Sequence, residues 1–129
     1  MSDTNNELPR HMTWRTHNGD RYLYTNYRNL PQDEVHQLVQ SACDYVISQS
    51  DPELLQLIDV YGTEATKSTI ESFMMASKTT KGHFKKVAVI GVSKLKVMII
   101  SSIRKFVKID AHPFTQESDA LTWLFKETD

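Results

Sequence analysis

Residues 86–92 have the sequence Lys-Val-Ala-Val-Ile-Gly-Val, a nearly continuous apolar run that stops at a glycine and a valine. Short apolar runs rich in β-branched residues are typical of strands that are covered on both faces, as in parallel sheets. We therefore predict a buried strand over Lys86 to Val92. Leu54 to Val60, with Asp59 near its end, is a second run of this kind. Together the two runs predict a largely parallel sheet.

Helical patterns separate the predicted strands. Residues 31–50 place apolar side chains at the spacing of one helical face, with Pro31 at the start and Asp51-Pro52 as the stop. The remaining segments give, in chain order, a helix over Thr66 to Thr80, a helix over Ser93 to Phe106, an edge strand over Val107 to Ala111, and a helix from Thr115 to Glu127.

The N-terminal part of the chain predicts a β-hairpin. Met12 to His17 and Arg21 to Tyr27 flank Asn18-Gly19-Asp20, and Asn-Gly favours a tight hairpin turn. Together the segments give the order β-β-α-β-α-β-α-β-α. Strands that alternate with helices need crossover connections, so we expect these strands to be parallel, with the hairpin as an antiparallel edge. This order defines an α/β fold with a small, mixed, mostly parallel sheet flanked by helices. We expect residues 1–10 to be a flexible tail and residues 11–129 to form one domain.

Composition favours a globular protein of the cytoplasm. The chain has 129 residues, of which 40% are hydrophobic and 24% charged, and its net charge is −1. Cys43 is the only cysteine, so no intrachain disulfide can form, which fits a reducing compartment. The longest apolar run, Val97 to Ile100, is far shorter than a transmembrane segment.

Positive charge is concentrated in one segment. From Ser72 to Ile109 the chain carries nine Lys or Arg residues and no Asp or Glu. Such a segment can attract an anionic partner, but lysines that are clustered along the chain need not be clustered in space. We interpret them chiefly as solvated side chains, and nucleic acid, which would bind through Lys78 to Lys108, is the least favoured of the partners considered.

The sequence contains no recognisable catalytic or metal-binding motif. The five histidines show no i, i+4 pair and no cysteine or glutamate cluster with ligand spacing, so we predict no metal site. Ser93 follows Gly91 without the second glycine of a nucleophile elbow, and no phosphate-binding glycine motif occurs. We therefore predict no catalytic residue, no cofactor and no enzymatic activity.

Three segments resemble the SpoIIAA-like (STAS-like) family, named after anti-sigma-factor antagonists. The central strand and turn of that family resemble residues 85–93, its Asp-ending strand resembles residues 57–62, and its final Phe, acidic turn and Ala-Leu-x-Trp-Leu helix resemble residues 114–124. The resemblance covers about Thr13 to Glu127. It implies a small mixed sheet with packed helices, no common enzymatic activity, and a role in regulatory protein–protein contact.

One feature of the family is altered in this chain. Well-known relatives are controlled by phosphorylation of a serine in an Asp-Ser-Ser triplet at the start of the helix after the Asp-bearing strand. Here the matching residues 64–69 are Glu-Ala-Thr-Lys-Ser-Thr, so hydroxyls are present without the triplet. A more distant resemblance links the family to the CRAL-TRIO lipid-binding fold, which gives the alternative function of a small carrier or sensor for an apolar or anionic lipid-like ligand.

Two surfaces are candidates for binding. In open α/β sheets the loops at the carboxyl ends of neighbouring strands form the usual ligand crevice. Its candidate polar residues are Asp59, Tyr61, Thr63, Thr66, Ser68, Ser93 and Lys94. The interpretation that competes with binding is that Asp59 and Ser93 only satisfy turn amides.

The second candidate surface is apolar and lies on two predicted helices. A helix packed on a sheet needs an apolar face of roughly 100°, and residues 97–100 exceed it. Core packing accounts for most of this surface, and we expect the excess to meet another helix, a partner chain (a second copy in a homodimer or an unidentified protein) or a lipid-like ligand. The candidate residues are Phe73, Met74, Met75, Val97, Met98 and Ile100.

Overall fold

A computed structural model describes residues 8–63, 66–92 and 111–126. These residues form one five-stranded sheet in which the strand order follows the chain, β1-β2-β3-β4-β5. β1 is antiparallel to β2, and β2 to β5 are parallel to one another. The elements are β1 (Met12–His17), β2 (Asp20–Asn26), α1 (Gln32–Gln49), β3 (Leu54–Asp59), α2 (Lys67–Thr79), β4 (Phe84–Ile90), β5 (Ala111–Phe114) and α3 (Glu117–Leu124). The mixed α/β class predicted from the sequence is confirmed.

The hairpin of β1 and β2 closes on a two-residue turn. Asn18 and Gly19 both have positive φ, 52° and 89°, as the type I′ turn requires. His17 and Asp20 are the last paired residues, so β2 begins one residue earlier than predicted and ends at Asn26.

Helices cover both faces of the sheet. α1 and α2 lie on the face that carries Leu23 and Val87, and α3 lies on the face that carries Leu57 and Ala88. Leu23, Leu57 and Ala88 are fully buried as a result. The alternation of side chains along residues 22–27 predicts a strand with one buried face; this prediction is wrong, because residues 22–25 of β2 are buried on both faces.

Local signals set the ends of α1. Asp33 and Glu34 lie in its first turn, where the helix dipole stabilises anions, and Ser50 ends the helix in a left-handed conformation with φ of 54°. Cys43 is buried on the inner face of α1, as expected for a small core residue. Burial, followed by the charge of Asp44, raises the pKa of the Cys43 thiol to about 11.

Two predicted elements near the C-terminus need correction. The last strand is Ala111–Phe114, whereas we predicted Val107 to Ala111, of which residues 107–110 lie outside the described part. β5 contains Pro113, which lacks a backbone N–H and is tolerated at a sheet edge. The last helix begins at Glu117 after Gln116 and ends at Leu124, so Thr115 is not its cap.

Some predictions fall outside the described residues. The helix predicted over Ser93 to Phe106 does so entirely, and so does most of the tail predicted over residues 1–10. Among the helices that the structure describes, none has the length and apolar character of a membrane span.

Candidate functional site

The candidate site lies at the carboxyl ends of the parallel strands. Asn26, Asp59, Ile90 and Phe114 occupy equivalent positions of β2 to β5, so the loops that follow these strands begin side by side. We call this end of the sheet the carboxyl rim and define it by the residues that hold it together: Tyr24, Arg28, Asp59, Tyr61 and Gly91.

Asp59 is the centre of the carboxyl rim. Its carboxylate is buried, and three donors surround it: the Tyr24 hydroxyl at 3.0 Å and the Arg28 guanidinium at 3.2 Å reach Oδ2, and the Tyr61 backbone N–H reaches Oδ1 at 3.1 Å. Hydrogen bonds from both sides fix the carboxylate in one orientation. Burial, then the hydrogen bond to Asp59, raises the pKa of Tyr24 from 10.0 to about 12, so its hydroxyl stays a donor well above neutral pH.

Tyr61 combines an exposed side chain with a fixed backbone. Its side chain belongs to the few large apolar groups on the described surface, with 56% of the residue exposed. Its carbonyl oxygen accepts a hydrogen bond from Asn29 N at 2.9 Å, while Asp59 holds its N–H. On the remaining side Gly91, with φ of 80°, packs so closely that a Cβ added there would lie 2.6 Å from Tyr61 N.

Arg28 lies against the ring of Tyr61. The guanidinium carbon is 4.8 Å from the ring centroid, within the range of a cation–π contact. One terminal nitrogen donates to Asp59, yet 48% of the Arg28 side chain is exposed. The pair therefore presents a planar cation and an aromatic ring to solvent in a fixed arrangement.

A second arginine extends this arrangement across the sheet. The Arg15 guanidinium on β1 lies 3.6 Å above the ring of Tyr24, whose hydroxyl binds Asp59. Arg15 also meets Glu117 of α3 at 3.7 Å, and both side chains are partly exposed, so water and salt weaken this ion pair.

Two other predicted rim residues, Thr63 and Thr66, have structural partners. The Thr63 hydroxyl is buried and donates to Tyr27 O at 2.6 Å. Thr66 caps α2 through a reciprocal capping box with Thr69 and donates to Gln32 of α1 at 2.8 Å. Ser93 and Lys94 lie outside the described residues. Asp59 and Tyr61 are thus the predicted residues that the structure places together at the carboxyl rim.

Ser68 lies on the first turn of α2 and faces α1. Its hydroxyl is 2.8 Å from Nε2 of His36, while Nδ1 of the same ring is bonded to the hydroxyl of Ser72. A neutral imidazole can donate to one of these hydroxyls and accept from the other. Ser68 therefore helps to join the two helices.

The predicted apolar surface is only partly described. Phe73 packs edge-on against the buried ring of Tyr27, with centroids 5.1 Å apart, and is therefore a core contact. Met74 is half-buried, and Met75 is exposed. Val97, Met98 and Ile100 lie outside the described residues.

One lysine in the described part of the basic segment is buried and not on the surface. Lys86 is 3% exposed, and its ammonium donates at 2.8 Å to the carbonyl oxygens of Trp123 and Lys126 at the end of α3. Positive charge at a helix C-terminus is favourable, so this lysine fastens α3 to the sheet. Lys85, the preceding residue, is exposed.

A cleft of about 380 Å³ lies at the other end of the parallel strands, near the amino end of β3. A carrier would need a cavity beneath the helices that hold Met74 and Met98; Met74 does not line this cleft, and Met98 lies outside the described residues. Its walls combine apolar and charged side chains of both signs: Trp14, Asp20, Arg21, Asp51, Glu53, Leu54, Leu55, Lys85, Leu124, Phe125 and Lys126. Within the described residues, no three His, Cys, Asp or Glu side chains are grouped as a metal site.

Sequence reasoning missed Arg15, Tyr24, Arg28 and His36. Arg15 and Tyr24 belong to the hairpin, and only the pairing of β2 with β3 brings Tyr24 next to Asp59. The alternation of Tyr22 and Tyr24 along β2 indicated that both side chains lie on one face of the strand, but it did not indicate that Tyr24 contacts Asp59. Arg28 had no signal in its sequence surroundings.

The fold and the rim together define a small α/β protein with a mixed sheet covered on both faces. A model of the SpoIIAA-like family matches residues 28–125, and the chain belongs to that family. The crystal structure of an uncharacterised protein of the DUF3478 family with a SpoIIAA-like fold, from Shewanella loihica PV-4, is similar at a TM-score of 0.61 and 21% identity. The similarity covers 88% of this chain and 91% of that one, and shows the shared fold. No curated protein matches the chain.

Proposed function

We propose that this protein is a non-enzymatic, regulatory SpoIIAA-like module of the cytoplasm that acts by protein–protein contact through its carboxyl rim. The observation that carries the proposal is the exposed ring of Tyr61, held on a fixed backbone beside Arg28. Tyrosine and arginine are enriched among the residues that dominate binding energy at protein interfaces.

Pre-organisation supports this role. An ordered side chain loses less conformational entropy on binding, which leaves more of the contact energy as affinity. Asp59 holds both Arg28 and the backbone of Tyr61, and Asp59 itself is fixed by Tyr24. The rim is therefore organised before a partner arrives.

Affinity capture from the native host tests the proposal. Wild type, Tyr61→Ala and Arg28→Ala are compared by quantitative mass spectrometry. Ile47→Ala is the matched control, because Ile47 is also an exposed large apolar residue but lies near the C-terminal end of α1. We expect one or more partners to be lost with both rim variants and retained with the control.

The binding of a recovered partner is then measured with purified proteins. Truncation of a central aromatic residue of an interface typically costs about 2 kcal/mol or more, which is roughly a 30-fold loss of affinity. Identical partner sets for wild type and both rim variants would contradict the proposal. The double variant Lys67→Glu, Ser68→Asp examines the neighbouring start of α2 in the same experiment.

The alternative is a small carrier or sensor for an apolar or anionic lipid-like ligand, and the cleft at the start of β3, with its mixed apolar and charged lining, is the cavity that could hold it. Leu54, Leu55, Leu124 and Phe125 line that cleft together with acidic and basic side chains, Arg21, Lys85 and Lys126 among the basic ones. Native mass spectrometry of gently purified protein separates the two functions. A co-purified apolar mass supports the carrier, whereas a bare chain that binds a protein partner supports the interaction module.

A further inference from the structure

The outer edge of β1 directs backbone N–H and C=O groups away from the described strands of the sheet. Asn26 N donates to His11 O at 2.9 Å, so residue 11 turns its backbone groups toward β2. Backbone groups alternate in direction along an antiparallel strand. With the register of this hairpin, residues 13, 15 and 17 also bond to β2, while Met12, Trp14 and Thr16 direct their N–H and C=O groups away from the sheet.

Most of these outward groups have no partner among the described residues. Met12 N–H is taken by Pro9 O at 3.1 Å. The backbone groups of Trp14 and Thr16 have no hydrogen-bond partner in residues 8–63, 66–92 and 111–126. The side chain of Trp14 does not cover the edge, because its indole N–H donates to Tyr45 on the helical face at 2.8 Å.

The edge also lacks the features that normally prevent pairing. Natural edge strands are blunted by proline, charged side chains (lysine above all) or a bulge. β1 contains no proline or lysine, its one arginine, Arg15, lies over the Tyr24 ring, and all six of its residues pair with β2 without a register shift. The opposite edge strand, β5, has four residues and contains Pro113. Only one of the two described edges is protected in this way.

We infer that β1 of a second copy pairs with β1 in antiparallel orientation about a two-fold axis at Trp14. Trp14 then lies opposite Trp14 of the second copy and exchanges two hydrogen bonds with it. Thr16 lies opposite Met12 of the second copy. Because Met12 N–H is already bonded to Pro9, each of these outer pairs adds one bond, from Thr16 N–H to Met12 O.

Charge and strand length favour this alignment. Opposite residues of an antiparallel pair lie on the same face, so Arg15 meets Thr13 of the second copy. An axis at Arg15 would instead set two guanidinium groups opposite each other, which is unfavourable. His11 has φ of 75° and ends the strand, so residues 12–16, which are symmetric about Trp14, form the paired segment.

This dimer differs from the homodimer expected at the apolar helices and goes beyond the proposed function. It joins two five-stranded sheets into one and leaves Tyr61 exposed on each copy, because the carboxyl rim is formed by β2, β3 and β4. The module would present two partner-binding rims.

The first experiment is sedimentation velocity over a wide range of concentrations. We expect the mass to rise from that of the 14.9 kDa chain toward twice that value. Thr16→Pro removes the outward N–H without removing a bond to β2, and should shift the monomer–dimer midpoint at least tenfold. Thr16→Val keeps both the N–H and β-branching, and should dimerise like wild type. Circular dichroism confirms that each variant is folded.

A charge-reversal pair tests the register independently of the proline. Thr13 is exposed and is predicted to face Arg15 of the second copy. Thr13→Glu should lower the dissociation constant of the dimer, and Thr13→Arg should raise it. Each of the two symmetric pairs should change the constant by about two- to fivefold, as for exposed ion pairs.

Three results would overturn the inference: a wild-type monomer at every concentration, a folded Thr16→Pro variant that dimerises normally, or Thr13 variants that shift the equilibrium in the same direction. Tyr61→Ala should leave the dimer constant unchanged. Failure of the edge pairing is therefore distinguishable from failure of the carboxyl rim as a partner surface.

Discussion

Replacement of Asp59 by alanine should destabilise the protein and release Tyr61. Asp59 is 2% exposed and accepts hydrogen bonds from Tyr24, Arg28 and the Tyr61 backbone. A hydrogen bond to a charged group contributes about 1.5–3 kcal/mol. The hydrogen bonds from the Tyr24 hydroxyl and the Tyr61 N–H make the largest contributions to the free energy of unfolding. The Arg28 guanidinium is half-exposed and is hydrated by water when its partner is lost, so its ion pair contributes at most about 1 kcal/mol.

Removal of the carboxylate also removes the cost of burying it, which offsets part of the loss. We therefore expect Asp59→Ala to lower the free energy of unfolding by about 2–4 kcal/mol. Asp59→Asn keeps the shape and an acceptor for the Tyr61 N–H, and should cost about 1–2 kcal/mol. Both variants should raise hydrogen exchange at the Tyr61 loop.

Urea denaturation at neutral pH, followed by circular dichroism, measures these changes. Asp44→Ala is the matched control, since Asp44 is an exposed acid on α1, and should stay within about 0.5 kcal/mol of wild type. If Asp59→Ala unfolds at the same urea concentration as Asp44→Ala, the carboxylate does not hold the rim, and the pre-organisation argued for Tyr61 is wrong.

Three further changes test other parts of the structure. Gly91→Ala should lower the melting temperature more than Gly82→Ala, because both positions have positive φ but only the first would place a Cβ against a neighbouring backbone; equal shifts would contradict that close approach. Lys86→Met should raise hydrogen exchange in the last helix, whereas Lys85→Met should not, because only the first ammonium bonds to the end of that helix; unchanged exchange in both would show that the ammonium does not hold the helix. The raised pKa of Tyr24 means that its neutral form is favoured in the folded state, so its contribution to stability is complete below about pH 10 and is lost as the pH rises toward 12. The urea midpoint of the wild type should therefore fall between these pH values, and Tyr24→Phe should make that fall less steep. An unchanged slope in the variant would assign the fall to other groups.

The sequence predicted the elements well where the signal is local. The buried strands at Leu54 and near Lys86, the Asn-Gly turn and the stop of the first helix at Ser50 all depend on neighbouring residues. The last strand was predicted four residues too early, since polar interruptions and Pro113 hide its pattern. Family resemblance added the overall fold, which the comparisons confirm.

The candidate site was predicted only in part. Asp59 and Tyr61 follow from their place at the end of a buried strand, because parallel strands bring their ends together. Thr63 and Ser68 were predicted in the binding loop, but their hydroxyls bond to Tyr27 and His36. A hydroxyl near a loop gives no indication of its partner in the sequence.

The alternation and spacing of side chains along the chain are local properties, and they determine by themselves that this protein has two buried strands, a hairpin and amphipathic helices. Only the tertiary structure decides which strands are neighbours, that α3 covers the face opposite α1, and that Lys86 is buried beneath that helix. The Tyr24–Asp59 contact joins residues 35 positions apart, and the unpaired edge of β1 exists because no described strand lies beyond it. Such contacts depend on the register between strands, and an isolated segment carries no information about that register.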